Sequence, residues 1–150
     1  MPRKKATSTP KQTKPAAVQP SLELRSASKS TGKKRILIIE DEKPLAHALE
    51  LKMTHEGYET VVCSTGEAGL KEALTGTYQL ILLDLILPGI DGFTILQEMQ
   101  GKKVKAVIII LSNLGQDEDR AKAKEFGAKD YLIKSNVPLS DIVKVVKAAL

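Results

Sequence analysis

The chain has 150 residues, 42% hydrophobic and 27% charged, enough for one domain with a proper core. No apolar run nears the roughly 18 residues of a membrane span, and no apolar segment follows the N-terminal lysines, which argues against a spanning helix and a secretory signal. Cys63 is the only cysteine, which excludes an internal disulfide and fits a reducing compartment, so a cytoplasmic location is expected.

The net charge of +5 is unevenly divided. Residues 1–34 hold nine Lys/Arg against Glu23 alone, whereas residues 35–150 hold fourteen Lys/Arg against seventeen Asp/Glu. The leader is rich in Pro, Ser, Thr and Lys and has no aromatic residue. Such a segment buries too little apolar surface to offset its ordering entropy, so 1–34 is expected to be disordered. It reads first as a solubilising tail or linker; its charge also permits non-specific contact with nucleic acid or an anionic surface.

From Arg35 onward, short aliphatic runs alternate with amphipathic stretches. The first run, "ILII" (36–39), precedes a helix that starts near Pro44, turns Leu45, Leu49 and Met53 to one face, and stops at Gly57. "ETVVCS" (59–64) precedes a helix over about 66–75 with Leu70, Ala73 and Leu74 inward. "LILL" (80–83) precedes a helix over about 91–100 carrying Phe93, Leu96 and Met99. "AVIIIL" (106–111) precedes a polar helix over about 116–126, relieved only by Ala121, Ala123 and Phe126. "YLI" (131–133) precedes a last helix from near Pro138 that buries Leu139, Ile142, Val143, Val146 and Leu150. Continuous apolar runs mean strands buried on both faces, as in a parallel sheet covered by helices. The predicted fold class is α/β: a three-layer, doubly wound (βα)5 domain over 35–150.

The polar residues that interrupt this pattern collect at one end of the strands. Glu40 and Asp41 follow the first strand, Asp84 closes the third, Ser112 the fourth and Lys134 the fifth. In an open α/β sheet that edge is the ligand crevice. Three carboxylates there repel one another unless a cation intervenes, and a hard divalent ion with oxygen ligands, Mg²⁺ above all, resolves the conflict. Asp41 and Asp84 are the ligand candidates, with Glu40 acting directly or through water, while Glu42 is read as starting the helix. A carboxylate, a metal, a lysine and a hydroxyl suit attack of the carboxylate on a phosphoryl group, with the cations neutralising charge on its oxygens.

With "RILIIEDE", "LILLDLILPGIDG", "VIIILSN" and "DYLIK" in this order, residues 35–150 resemble the receiver domain of two-component response regulators, of the single-domain, chemotaxis-regulator-like kind. The resemblance implies a flavodoxin-like sheet of order 2-1-3-4-5. It makes Asp84 the phospho-acceptor, served by a sensor histidine kinase or a histidine phosphotransfer protein. It assigns Glu40, Asp41, Asp84 and the Ile86 backbone carbonyl to Mg²⁺, Ser112 and Tyr131 to the switch, and Lys134 to pairing with the phosphoryl group. Such a protein is a signalling phospho-acceptor rather than an enzyme in the ordinary sense, acting on a downstream protein target as a monomer or a phosphorylation-dependent homodimer. Receivers usually place proline after the lysine; here Ser135 stands there, and the acidic pair is Glu-Asp rather than Asp-Asp.

The rival reading is a nucleic-acid-associated protein that binds through the basic leader, with the domain as scaffold; binding that weakens steeply with salt and is lost on deleting 1–34 would mark it. A flavin nucleotide at the same edge is disfavoured, because an acidic cleft without metal repels a phosphate-bearing ligand. No dinucleotide or P-loop glycine motif is present. His47 and His55 have no Cys or His companion at ligand spacing and read as solvated helix residues.

Overall fold

Aliphatic strands and amphipathic helices alternate along the chain as the sequence pattern does. The computed structural model describes residues 32–150; the leader assigned to 1–34 lies, up to residue 31, outside the described residues. In chain order the elements are β1 (Arg35–Ile39), α1 (Lys43–His55), β2 (Glu59–Cys63), α2 (Gly66–Ala73) and β3 (Leu80–Leu83). Then come α3 (Gly92–Gly101), β4 (Val107–Ser112), α4 (Asp117–Glu125), β5 (Asp130–Ile133), a 3-10 turn (Lys134–Asn136) and α5 (Leu139–Ala149). The five strands are all parallel, in the order β2-β1-β3-β4-β5. This is the flavodoxin-like arrangement the resemblance implied.

Successive strand side chains point to opposite faces, so the three central strands feed two cores. Leu37, Ile39, Ile81, Leu83, Ile108 and Ile110 pack with residues of α2, α3 and α4 on one face. Ile36, Ile38, Leu80, Leu82, Ile109 and Leu111 pack with α1 and α5 on the other. Every residue of β1 and β3 is buried, each large side chain contributing about 1.5–3 kcal/mol. Arg35 opens β1 inside this core, with Nε 2.6 Å from Glu59 Oε1, a second hydrogen bond to the Thr77 hydroxyl, and the Tyr78 ring beneath its guanidinium.

Two of the helices begin at side-chain caps. Thr65 Oγ1 accepts from the Ala68 N–H at 3.2 Å and Asp91 Oδ1 from the Thr94 N–H at 3.0 Å, satisfying first-turn donors of α2 and α3. Three faces differ from the sequence expectation. In α1 Ala46 joins Leu49 and Met53 in the core while Leu45 is only half-buried. In α2 Leu74 is exposed, because the helix ends at Ala73 and leaves it at the C-cap; Ala73 and the half-buried Leu70 do face the core, joined by Gly66 and Gly69. In α3 Ile95 joins Leu96 and Met99, and Phe93 stays half-buried with the Lys122 ammonium over its ring.

The two flanks of the strand ends are built differently. On the β3–α3 side the backbone nearly touches itself. A Cβ at Gly92 would stand 2.5 Å from the Asp84 carbonyl oxygen and 2.5 Å from Leu85 Cα. On the other side α4 fully buries Ala123 alone. Its stability owes more to Asp117, Glu118 and Asp119 in the first turn and Lys122 and Lys124 in the last, which complement the helix dipole.

Candidate functional site

From β1 the chain steps outward to β2, whereas β3, β4 and β5 build the sheet in the opposite direction. A crevice opens where such an order reverses, at the carboxyl ends of the strands between β1 and β3. The acids of "IIEDE" and "LLDL" stand at its two sides. Both sides are pinned by main chain: the Glu40 N–H donates to the Cys63 carbonyl and the Asp84 N–H to the Ile39 carbonyl, each at 3.0 Å. Asp84 thus sits one residue past β3, backed by aliphatic strand and facing the crevice mouth.

Lys134, at the end of β5, reaches across to these acids. Its Nζ lies 2.8 Å from Asp84 Oδ2, 2.7 Å from Glu42 Oε1, and 2.9 Å from both Glu40 oxygens, with hydrogen-bonding geometry only at Oε2. Main-chain donors complete the arrangement: the Ile86 N–H donates to Asp84 Oδ1 at 3.1 Å and the Glu42 N–H to Glu40 Oε2 at 2.9 Å. The cavity above, with about 200 Å³ available, is lined by Asp41, Glu42, Asp84, Ile86, Asn113 and Lys134.

Two of the acids are almost fully buried, Glu40 at 2% and Asp84 at 4% exposure. Burial pushes the Glu40 carboxyl above its ordinary value, against the lowering influence of Lys134 and the Glu42 N–H, and the neighbouring Asp84 charge adds to the rise. Burial alone would lower Lys134, but hydrogen bonds to Asp84, Glu42 and Glu40 outweigh it and hold the ammonium above its ordinary value. Three carboxylates, Glu40, Glu42 and Asp84, share the Lys134 ammonium, and Asp41 adds a fourth acid beside them. Glu40 Oε1 is buried and accepts no hydrogen bond, its one close polar neighbour being the Lys134 ammonium at 2.9 Å. Oxygens of Glu40, Asp41 and Asp84 lie within 4.8 Å of one another. An all-oxygen donor set with surplus negative charge, one of its buried oxygens without a hydrogen bond, fits a hard divalent cation such as Mg²⁺.

The family model for the response regulator receiver domain matches residues 36–147. The chain belongs to the response regulator receiver family. Among curated relatives, response regulator ArlR of Staphylococcus saprophyticus is 40% identical over 100 residues, covering 67% of this chain and 45% of the relative. An uncharacterized transcriptional regulatory protein, YkoG of Bacillus subtilis, is 33% identical over 118 residues, covering 79% and 51%. This receiver chain spans about half the length of the curated relatives it matches. Among solved structures, a CheY-like response regulator receiver domain protein from Methanospirillum hungatei superposes with a TM-score of 0.73 at 25% identity, covering 77% of this chain and 92% of that one. The receiver domain of Francisella response regulator 1452 does so with a TM-score of 0.73 at 26% identity, covering 78% and 96%.

Within this receiver domain the crevice gathers Glu40, Asp41, Asp84, Ile86 and Lys134. Ser112 closes β4, fully buried, and its Oγ accepts from the Leu114 N–H at 3.4 Å; among the described residues no hydrogen bond joins it to the acids. The half-buried Tyr131 lies on β5, its hydroxyl donating to the Leu114 carbonyl and Arg120 over its ring. Burial, reinforced by the Asp119 charge, holds that phenol above its ordinary value. Cys63 is buried and its thiol is pushed up to about 11 by burial and the Glu72 charge, which keeps it unreactive at neutral pH.

Two residues of the crevice escaped the sequence reading. Glu42 does occupy the N-cap of α1, but its side chain caps nothing and turns to Lys134 instead. Asn113 lines the cavity and accepts from the Ser135 N–H. Its position directly after a strand end was the available signal.

Proposed function

We propose that this receiver accepts a phosphoryl group on Asp84 from a sensor histidine kinase or a histidine phosphotransfer protein in the cytoplasm. The observation that carries the reading is Asp84 itself, a nearly buried carboxylate at the crevice mouth with Oδ2 on Lys134. In the transfer an Asp84 carboxylate oxygen attacks phosphorus, the phosphorus–nitrogen bond of the donor's phosphohistidine breaks, and its electron pair stays on the imidazole. The product is an acyl phosphate. Glu40, Asp41 and Asp84, with the Ile86 backbone carbonyl, would hold Mg²⁺, which when bound neutralises charge on the phosphoryl oxygens. Lys134 supplies a second positive charge at the same atoms, and the Ile86 N–H orients the acceptor carboxylate.

Ser112 and Tyr131 form the switch in this reading. Both are now tied to the segment after β4 through Leu114, so a phosphoryl oxygen that draws the Ser112 hydroxyl toward Asp84 competes with that tie. New charge at the acceptor then biases a two-state element at β4–α4 and β5. A downstream protein target reads that surface. The transcriptional-regulator name of one relative favours an output at the level of gene expression, with nucleic acid contacted by this chain only through residues 1–34.

Incubation with Mg²⁺ and a small phosphodonor, followed by intact-mass measurement, tests the assignment. One added phosphoryl group, labile at alkaline pH and absent in Asp84→Asn, is the expected result. No adduct from either a small donor or a broad-specificity kinase overturns it.

A further inference from the structure

An ammonium group has three N–H donors, and each of Lys134's is aimed at a different carboxylate: Asp84, Glu42 and Glu40, at 2.8, 2.7 and 2.9 Å. No donor is left for a new oxygen. A phosphoryl group on Asp84 brings charged oxygens into the same cavity, and Lys134 can hydrogen-bond one only by releasing a present partner. The three partners are not equally held. Glu40 and Asp84 have side-chain exposures of 2% and 4%, against 57% for Glu42. Glu40 and Asp84 each accept a main-chain N–H as well, from Glu42 and Ile86. Among the described residues the Glu42 carboxylate has no hydrogen bond except the one from Lys134, and it leaves the N-cap of α1 unused. Until the acyl phosphate forms, releasing either buried acid strands a charge, which is strongly unfavourable, and Glu40 keeps that charge afterwards; Glu42 needs only to swing into water.

We propose that Glu42 is a displaceable counter-ion: it holds the Lys134 ammonium in the unphosphorylated domain and yields its place to a phosphoryl oxygen on Asp84. The proposal rests on Asp84 as the acceptor. Because Glu42 also lines the cavity, its charge repels an incoming anionic donor. It therefore raises the barrier to phosphorylation and weakens any bound phosphoryl group. Glu42 acts here through Lys134, as a positioning residue.

The test compares the full chain with its Glu42→Gln and Glu42→Ala variants at saturating Mg²⁺ and several ionic strengths. Two quantities are read: the rate of Asp84 phosphorylation by a small anionic acyl phosphate, and the affinity for beryllofluoride as a phosphoryl mimic. Both variants are expected to react about two- to fivefold faster and to bind the mimic more tightly, with the advantage shrinking as salt rises. A merely steric role for the side chain gives no such salt dependence. If the wild-type chain forms an Asp84 adduct and neither variant exceeds its rate at any ionic strength, the Glu42 assignment is overturned while Asp84 stands. If the wild-type chain forms no adduct, the acceptor reading itself fails.

Discussion

The Ser135 backbone N–H donates to the Asn113 side-chain oxygen at 3.0 Å, joining the turn after β5 to the segment after β4. Receivers usually carry proline at this place, and proline has no N–H to give. The bond spans residues next to Ser112 and Lys134, so it sets the spacing of the two strand ends whose side chains the proposed chemistry uses. Asn113→Ala and Ser135→Pro should each cost about 0.5–1.5 kcal/mol in denaturant unfolding. The double variant should cost no more than the larger single, since both remove one bond. Strict additivity would show that the two residues are not coupled.

A divalent cation should stabilise the domain. With Mg²⁺ at one hundred times its dissociation constant the gain is about 2.7 kcal/mol, read as a rise in melting temperature. Asp41→Asn should weaken that response at least about tenfold in the Mg²⁺ concentration required, because an exposed acid of the cluster has lost its charge. An unaltered titration in the variant would remove Asp41 from the ligand set.

Glu40 gives a pH signature. Its carboxyl is raised in the fold, so the folded domain binds this proton more readily than the unfolded chain. Its contribution to stability is therefore full below the ordinary carboxylate range and is lost as pH rises through the raised native value. At neutral pH without divalent ions its charge is a net liability. Glu40→Gln should then melt about 2–5 °C higher than the wild-type chain at pH 7.5. The gap should close as the pH falls past the native value. A gap that widens on acidification would reverse the assigned direction.

Gly92→Ala should be costly. The added methyl would press on the Asp84 carbonyl oxygen and Leu85 Cα, both main-chain atoms with nowhere to go. A loss of about 1–3 kcal/mol is expected in urea unfolding. Gly101→Ala, where the methyl meets nothing within 4 Å, should lose nothing in the same assay. Equal effects at the two sites would show that the loop relaxes freely.

Much of this was legible because the strands carry their message in composition. "ILII", "LILL" and "VIIIL" are apolar on both faces, and the structure buries them on both. The acids at their ends interrupt the pattern and so announce themselves. The letters were less informative where one residue type serves several ends. Arg35 closes a basic run in sequence, yet it lies in the core because Glu59, Thr77 and Tyr78 converge on it from 24 to 43 residues away. Glu42 precedes a helix and so resembles a cap; only the reach of Lys134 across the sheet redirects it. Leu74 was placed inward by periodicity, but the helix stops one residue short. In each case a partner distant in sequence, or an element end, overrode the local pattern.

The glycine contacts beside Asp84 and the thin seating of α4 have a mechanical consequence. On the α3 flank main chain rests on main chain, so a push at the acceptor meets a hard stop. On the α4 flank one alanine is fully buried and the rest of the helix is held by charge and solvent-facing polarity. The unequal seating predicts that the α4 flank yields before the α3 flank, with faster amide exchange over 117–125 than over 92–101 as the measurement that checks it.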